Sequence, residues 1–395
     1  MQELPMPLKP TMRKLWKCIL CTEPCMDDVQ TVCQQIKPRQ TTTDLSSATP
    51  PRHMASPPSS PGQPSGTCSE DAIPVVDLAV LVNGDAGERS QAVQHLGRAC
   101  QDWGFFMVTN HGVPEALQSA LMDACSELFS LPPEQKQEHM DAGPMDPVRV
   151  GTGFNSAVDG ARYWRDYVKM FAHPELHCPA KPDSLRGVAA EYAARTRGLL
   201  LELTAAISES LGLHVGRIAE RLDLGSCFQI LVGNHYPPCA ADSDDDDGAI
   251  GLPAHSDHGL LTLLFQNGVD GLQVKHHGRW LLAKPLPGSF FVIAGDQLEI
   301  VSNGRYKGVL HRALVDRAQA RMSCVSLLGP CLDAVVEPGP ELAVPPLGLE
   351  FRGVKYRDYM EHQQSNKLNE KGALDLVRVQ RHIHTTDTLC SSSIY

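Results

Sequence analysis

No stretch of this chain reaches the run of roughly 18 apolar residues that a membrane-spanning helix needs. Long basic tracts are missing too. Lys and Arg number 35 against 46 Asp and Glu, a formal net charge of −11, which disfavours nonspecific contact with nucleic acid. The opening "MQELPMPLKPTMRKLWKCILCTEPC" lacks the continuous apolar core and small-residue cleavage site of a secretory signal peptide. A zinc finger is incomplete: Cys18, Cys21, Cys25 and Cys33 cluster, but no His pair or second CxxC follows at finger spacing. The 13 cysteines are scattered and odd in number, which fits reduced cytosolic thiols. No internal repeat is present. These absences leave the expectation of a cytoplasmic monomer whose partner is a small molecule, not a nucleic acid or a membrane.

What is present divides unevenly. Residues 1–72 are rich in Pro, Ser, Thr and Gln, and "ATPPRHMASPPSSPGQPSG" cannot bury a core, so this segment is expected to be a disordered extension. Met54 opens "MASPPSS" like a chain start, so residues 1–53 are expected to be dispensable or to follow an unused upstream start. The remainder, in a chain 42 % hydrophobic, is long enough to bury a sizeable core.

Residues 73–225 read as an α/β region. "IPVVDLAVL" predicts a strand, with a turn at "NGD". Val93, Leu96, Ala99, Cys100 and Trp103 fall on one face of a helix that Gly104 stops. "FFMVT" predicts a buried strand, and two further helices span "EALQSALMDACSELFSLP" and residues 184–212. From residue 226 to 335, short strands in "CFQILVGNHYPPC", "GLLTLLFQN", "GLQVKHHGRWLLAKP", "GSFFVIAGDQLEIVSNG", "GVLHRALVD" and "ARMSCVSLLGP" alternate with turns. Such spacing predicts a β-sandwich or barrel. The acidic "ADSDDDDGAIG" lacks a calcium-loop pattern and reads as a solvated insertion. Residues 336–381 are expected to form a loop and a helix, and residues 382–395 a disordered tail.

The chemistry concentrates in the β-rich segment. In "PAHSDHGLLTLL", His255 and Asp257 are two apart and share a strand face, whereas Ser256 and His258 take the other. Alone, the two are also consistent with a hydrogen-bonded pair at a strand end. "GVLHRAL" places His311 within a further predicted strand among apolar neighbours. Two His and one carboxylate form a facial triad, the donor set of non-haem iron(II) oxygenases. Arg321 and Ser323 of "RMS" also share a face. An Arg inside a barrel needs an anion, either a bound carboxylate or an internal Asp such as Asp296.

"IPVVDL", "WGFFMVTNHGVP", "NHYPPC", "HSD", "GLQV", "GDQLEIVSNGRYKGVLHR" and "RMS" stand in one order over residues 73 to about 378. In this the chain resembles the plant iron(II)/2-oxoglutarate-dependent dioxygenases, a family that includes flavanone hydroxylases, flavonol synthases and salicylate hydroxylases. The resemblance implies a mainly β fold with α, a double-stranded β-helix (jelly-roll) core flanked by helices. It implies His255, Asp257 and His311 as iron ligands, and Arg321 and Ser323 as the anchor for the distal carboxylate of 2-oxoglutarate. By the same resemblance Tyr236 is expected to help hold that carboxylate and Asn234 to lie beside it. It also implies O2 as cosubstrate, ascorbate as reductant, and hydroxylation or desaturation of a phenolic, flavonoid-like or hormone-like metabolite with release of succinate and CO2.

The pocket wall is expected to include Phe154 and Tyr163. Flavonol and anthocyanidin synthases carry Lys, Phe and Glu where this chain has Val232, Leu327 and Gly329, which predicts a less polar pocket here. His111 is expected to hold a turn, His276 and His277 to be exposed, and Phe265 to be core. Two alternatives stay open: an oxidase of the same fold that does not use 2-oxoglutarate, and a non-catalytic small-molecule binder.

Overall fold

The computed structural model describes residues 72–140, 142–154, 163–239, 249–343 and 348–380. The extension through residue 71, with its cysteine cluster and Met54, the Asp244–Asp247 insertion and the tail from His382 lie outside the described residues.

The N-terminal region contributes β1 (Val75–Asp77), α1 (Leu78–Asn83), α2 (Ala86–Arg98), β2 (Phe105–Thr109), α3 (Glu115–Ser130), β3 (Val148–Thr152), β4 (Asp166–His173), α4 (Asp183–Ser210) and α5 (Arg217–Arg221). The β-rich segment follows with β5 (Phe228–Tyr236), β6 (Ile250–His255), β7 (Leu261–Gln266), β8 (Leu272–His276), β9 (Arg279–Leu282) and β10 (Phe290–Ala294). After α6 (Asp296–Val301) come β11 (His311–Leu314), β12 (Arg321–Gly329), β13 (Val335–Val336), β14 (Val354–Lys355), α7 (Tyr356–Ser365) and α8 (Gly372–Asp375).

Two sheets form the double-stranded β-helix. The larger runs β1-β2-β10-β7-β12-β5-β4-β3, and the smaller β6-β11-β8-β9. Four strands of the larger sheet therefore come from before residue 226. Strands β2 and β10 are buried on both faces, and alternation sorts their side chains. Phe106, Val108, Phe290 and Val292 pack in the main core with the helices. Phe105, Met107, Phe291 and Ile293 turn into a second cluster with Leu272 and Val274 of the smaller sheet. Helix α4 buries Leu185, Ala189, Tyr192, Leu199, Leu203 and Ile207, the three- and four-residue spacing of one helical face. Each fully buried Leu or Ile among them contributes about 1.5–3 kcal/mol.

Local chemistry redirects several predicted elements. The strand expected through residue 81 ends at Asp77, whose Oδ1 accepts from the backbone N–H of Ala79 at 2.9 Å and starts α1 instead. "DQLEIV" is a buried helix, not a strand. The C-terminal helix breaks into α7 and α8. His276 is buried and stacks on Trp103 at 3.6 Å between ring centres, so it is not exposed; His277 is. His111 does hold its turn, meeting the Gly288 carbonyl at 2.9 Å, and Phe265 is core.

Helix α6 buries two carboxylates with opposite character. Glu299 is fully buried and accepts from Lys371 at 2.6 Å, Arg378 at 2.7 Å and the Gly308 N–H at 2.9 Å. Burial would raise it, but these cations hold it below the usual carboxylate range. Asp296 accepts from the Tyr359 hydroxyl at 2.7 Å, and burial pushes it up to about 7.

Glu299→Ala is expected to cost about 2–3 kcal/mol in denaturant unfolding, less than for a fully buried partner because Lys371 and Arg378 keep contact with water. The folded Asp296 binds its proton more tightly than the unfolded chain, where an Asp titrates near about 3.9. Its contribution to stability is full below that pH and drains away as pH rises towards about 7. The melting temperature of Asp296→Asn is expected to fall less over that window than that of the wild type.

Candidate active site

His255 is the last residue of β6 and His311 the first of β11, and the two pair directly across the antiparallel ladder. His311 thus opens its strand and does not lie inside it. Asp257 lies past the end of β6, in a loop whose carbonyls are all engaged. The Ser256 carbonyl accepts from Gln363 Nε2 at 2.9 Å and that of Asp257 from the Asp296 N–H at 2.8 Å. Those of His258 and Gly259 accept from the side chain and backbone of Gln297, both at 3.0 Å. The approach is close: a Cβ on Gly295 would stand 2.2 Å from the Gly259 oxygen.

This brings His255, Asp257 and His311 together, with one ligand atom from each all within 4.8 Å of one another. Each imidazole turns Nδ1 to a backbone carbonyl, His255 to Pro253 at 2.8 Å and His311 to Val309 at 3.3 Å. A carbonyl only accepts, so Nδ1 carries the proton and Nε2 keeps its lone pair for a metal. The Nε2 atoms lie 3.7 and 3.8 Å from Asp257 Oδ1. Burial, with His311 beside it, lowers His255 to about 4 and keeps it neutral. Asp257 Oδ2 is buried without a partner. Two imidazole Nε2 atoms and one carboxylate, oriented from behind and with an oxygen to spare, fit iron(II).

His258 lines the same cavity but is otherwise engaged. Its Nδ1 lies 2.9 Å from the Tyr356 hydroxyl, and burial followed by Lys169 lowers it to about 3.

The second constellation lies on the larger sheet. Arg321 pairs with Tyr236 and Ser323 with Asn234 across β12 and β5. Arg321 is 1 % exposed; its guanidinium carbon sits 5.0 Å from the centre of the Tyr236 ring, and Nη2 donates to Gln266 at 2.8 Å. Its Nε and Nη1 are buried with no acceptor. Asp296 is not its partner, since that carboxyl meets Tyr359 instead. Two idle donors on a planar fork suit a carboxylate. Asn234 donates to Ser323 Oγ at 3.1 Å, which leaves the hydroxyl proton of Ser323 to donate into the cavity.

Of the pocket residues expected from sequence, Phe154, Val232 and Leu327 line the cavity, and Tyr163 is not among its lining. Sequence pattern does not mark Arg165, whose Nε and Nη2 clamp Asn234 Oδ1 at 2.8 and 2.6 Å. Nor does it mark Arg149 and Lys169, which line the wall beside Val232, so the pocket is not less polar there. A lone Lys in the apolar run "DYVKMFAH" was the available signal.

The profile of the 2OG-Fe(II) oxygenase superfamily matches residues 227–330, and that of the N-terminal region of non-haem dioxygenases in morphine synthesis matches residues 73–189. Rice (Oryza sativa subsp. japonica) 2-oxoglutarate-dependent dioxygenase 19 is 73 % identical over 307 residues, covering 78 % of this chain and 90 % of that protein. The Arabidopsis thaliana protein DMR6-LIKE OXYGENASE 1 is 38 % identical over 278 residues, covering 69 % and 77 %. Among solved structures, JOX2 in complex with 2OG, Fe and JA superposes with a TM-score of 0.70 at 28 % identity, covering 78 % of this chain and 89 % of that one. The chain belongs to the 2OG-Fe(II) oxygenase superfamily and is a plant-type 2-oxoglutarate-dependent dioxygenase.

Proposed function

We propose that His255, Asp257 and His311 bind iron(II) and that Arg321, with Ser323, Tyr236 and Asn234 around it, binds the distal carboxylate of 2-oxoglutarate. The enzyme then hydroxylates or desaturates a small specialised metabolite, with O2 as co-oxidant and ascorbate as reductant. The idle Nε and Nη1 of buried Arg321 carry this reading, because a planar pair of unpaired donors in the same cavity as the triad suits a carboxylate. When bound, iron(II) supplies the open positions at which 2-oxoglutarate and O2 react to give succinate, CO2 and an oxidised product.

The residues divide the remaining work. The backbone carbonyls of Pro253 and Val309 fix the imidazole tautomers. Arg165 orients Asn234, and Asn234 orients Ser323. Leu264, Leu272 and Ile293 line the floor with apolar surface, which excludes water. The buried, unbridged thiols of Cys100, Cys125, Cys178, Cys227 and Cys324 support a reducing, cytoplasmic setting.

Iron titration is expected to give one site per chain in the wild type and at least about a hundredfold weaker binding in His311→Ala, the upper range for loss of a shell residue. Equal iron binding by the two would remove the triad. Arg321→Ala is expected to keep iron and lose 2-oxoglutarate affinity by about 1.5–3 kcal/mol, read by equilibrium dialysis of labelled 2-oxoglutarate. Product formation by the wild type without equimolar succinate would instead support the same-fold oxidase.

A further inference from the structure

Two rows of side chains beyond the 2-oxoglutarate anchor, the cavity carries a second set of cations. Arg149 on β3 and Lys169 on β4 stand directly opposite each other, and Lys169 is registered against Val232 on β5, which faces Val325 on β12. All four line the cavity. Like charges in direct cross-strand register repel, and burial sharpens the cost. Arg149 is 9 % exposed and Lys169 7 %.

Neither meets a carboxylate among the described residues. Lys169 Nζ donates to Gln364 Oε1 at 2.7 Å. Arg149 Nη2 meets the Tyr167 hydroxyl at 3.3 Å, and its Nε is buried with no acceptor. Burial, then Arg149 and Arg165, push Lys169 well below the usual lysine range. Arg165 is satisfied by Asn234 and the Gly153 carbonyl. Asp257, the one carboxylate among the described lining residues, belongs to the triad.

One anion does not serve both cationic groups. Along β5, Tyr236 opposite Arg321 and Val232 opposite Lys169 are four residues apart, about 13 Å at the rise of a strand. The row between them is Asn234 and Ser323 of the anchor; from the Lys169 row onward the wall turns apolar, with Val232 and Val325 and then Ile230 and Leu327.

We propose that Arg149 and Lys169, with Gln364 beside them, bind the carboxylate of an organic-acid substrate whose apolar body lies along Val232 and Leu327 towards the triad. The assignment rests on the iron and 2-oxoglutarate site proposed above. It makes the substrate an amphipathic monocarboxylic acid and the Arg149–Lys169 pair its specificity determinant.

The test uses full-length protein loaded with iron(II) and 2-oxoglutarate, kept anaerobic. Benzoate, phenylacetate and cinnamate are compared with their carboxamides by equilibrium dialysis. The acids are expected to bind about tenfold or more tighter than the amides, and Arg149→Met and Lys169→Met each to erase that preference while 2-oxoglutarate affinity stays within about twofold. Removing one of two opposed buried charges is also expected to raise the melting temperature of ligand-free Lys169→Met by about 2–4 °C, whereas a purely structural lysine would lower it. Amides binding as well as acids, no acid binding at all, or an acid preference that survives both substitutions would overturn the proposal. Failure of the underlying site looks different: the wild type would then bind neither iron nor 2-oxoglutarate.

Discussion

The site depends on the direct pairing of His255 with His311 across β6 and β11. Side chains alternate along a strand, so a slip of one residue in either would turn an imidazole out of the barrel. The register is fixed on both sides, because β11 also pairs with β8, with His311 opposite Val274 and Ala313 opposite Leu272. Val274 and Leu272 are buried in the cluster between the sheets. Hydrophobic burial thereby sets the placement of a polar group.

The two sheets divide the chemistry. The smaller sheet presents the histidines, and the larger presents Arg321, Ser323, Asn234 and Tyr236 from two central strands in a nine-residue register. Central strands are the stiffest part of a sheet, which suits groups whose donors must stay aimed without a partner. The cost of burying Arg321 with idle donors is spread over Gln266, the face of Tyr236 and the close backbone at Gly271, where a Cβ would stand 2.9 Å from Arg321 Cδ. A binding site built this way keeps its donors aimed for an anion.

Much of this was legible in the sequence, for reasons that differ by residue. His255 and Asp257 were found by a spacing that assumed a continuing strand. The strand stops at His255, yet the hydrogen-bonded loop brings Asp257 to the same side. Arg321, Ser323, Asn234 and Tyr236 were legible because they lie inside regular strands, where i and i+2 do share a face. β3 and β4 were not, since β4 is largely buried on both faces and shows no alternation. His276 was misread because its stacking partner, Trp103, lies far away in sequence and no local pattern announces it. Helix α6 was misread as strand because "LEIV" is apolar at every second position as well as at helical spacing.

The C-terminal segment completes the site although it supplies no triad residue. Ser256, between two of the three triad residues, is held at both sides: its N–H donates to the Glu370 carbonyl at 3.2 Å and its carbonyl accepts from Gln363. Gln364, next in sequence, reaches Lys169 in the opposite wall. The segment is in turn fastened by Lys371 and Arg378 to buried Glu299. Glu299 lies on α6, whose first residues hold the carbonyls of Asp257, His258 and Gly259. The loop carrying Asp257 is thus braced from α6 beneath and from residues 363–371 above, and one buried carboxylate joins the two braces. Through that joint the salt-bridge cluster is linked by an unbroken chain of hydrogen bonds to both supports of Asp257.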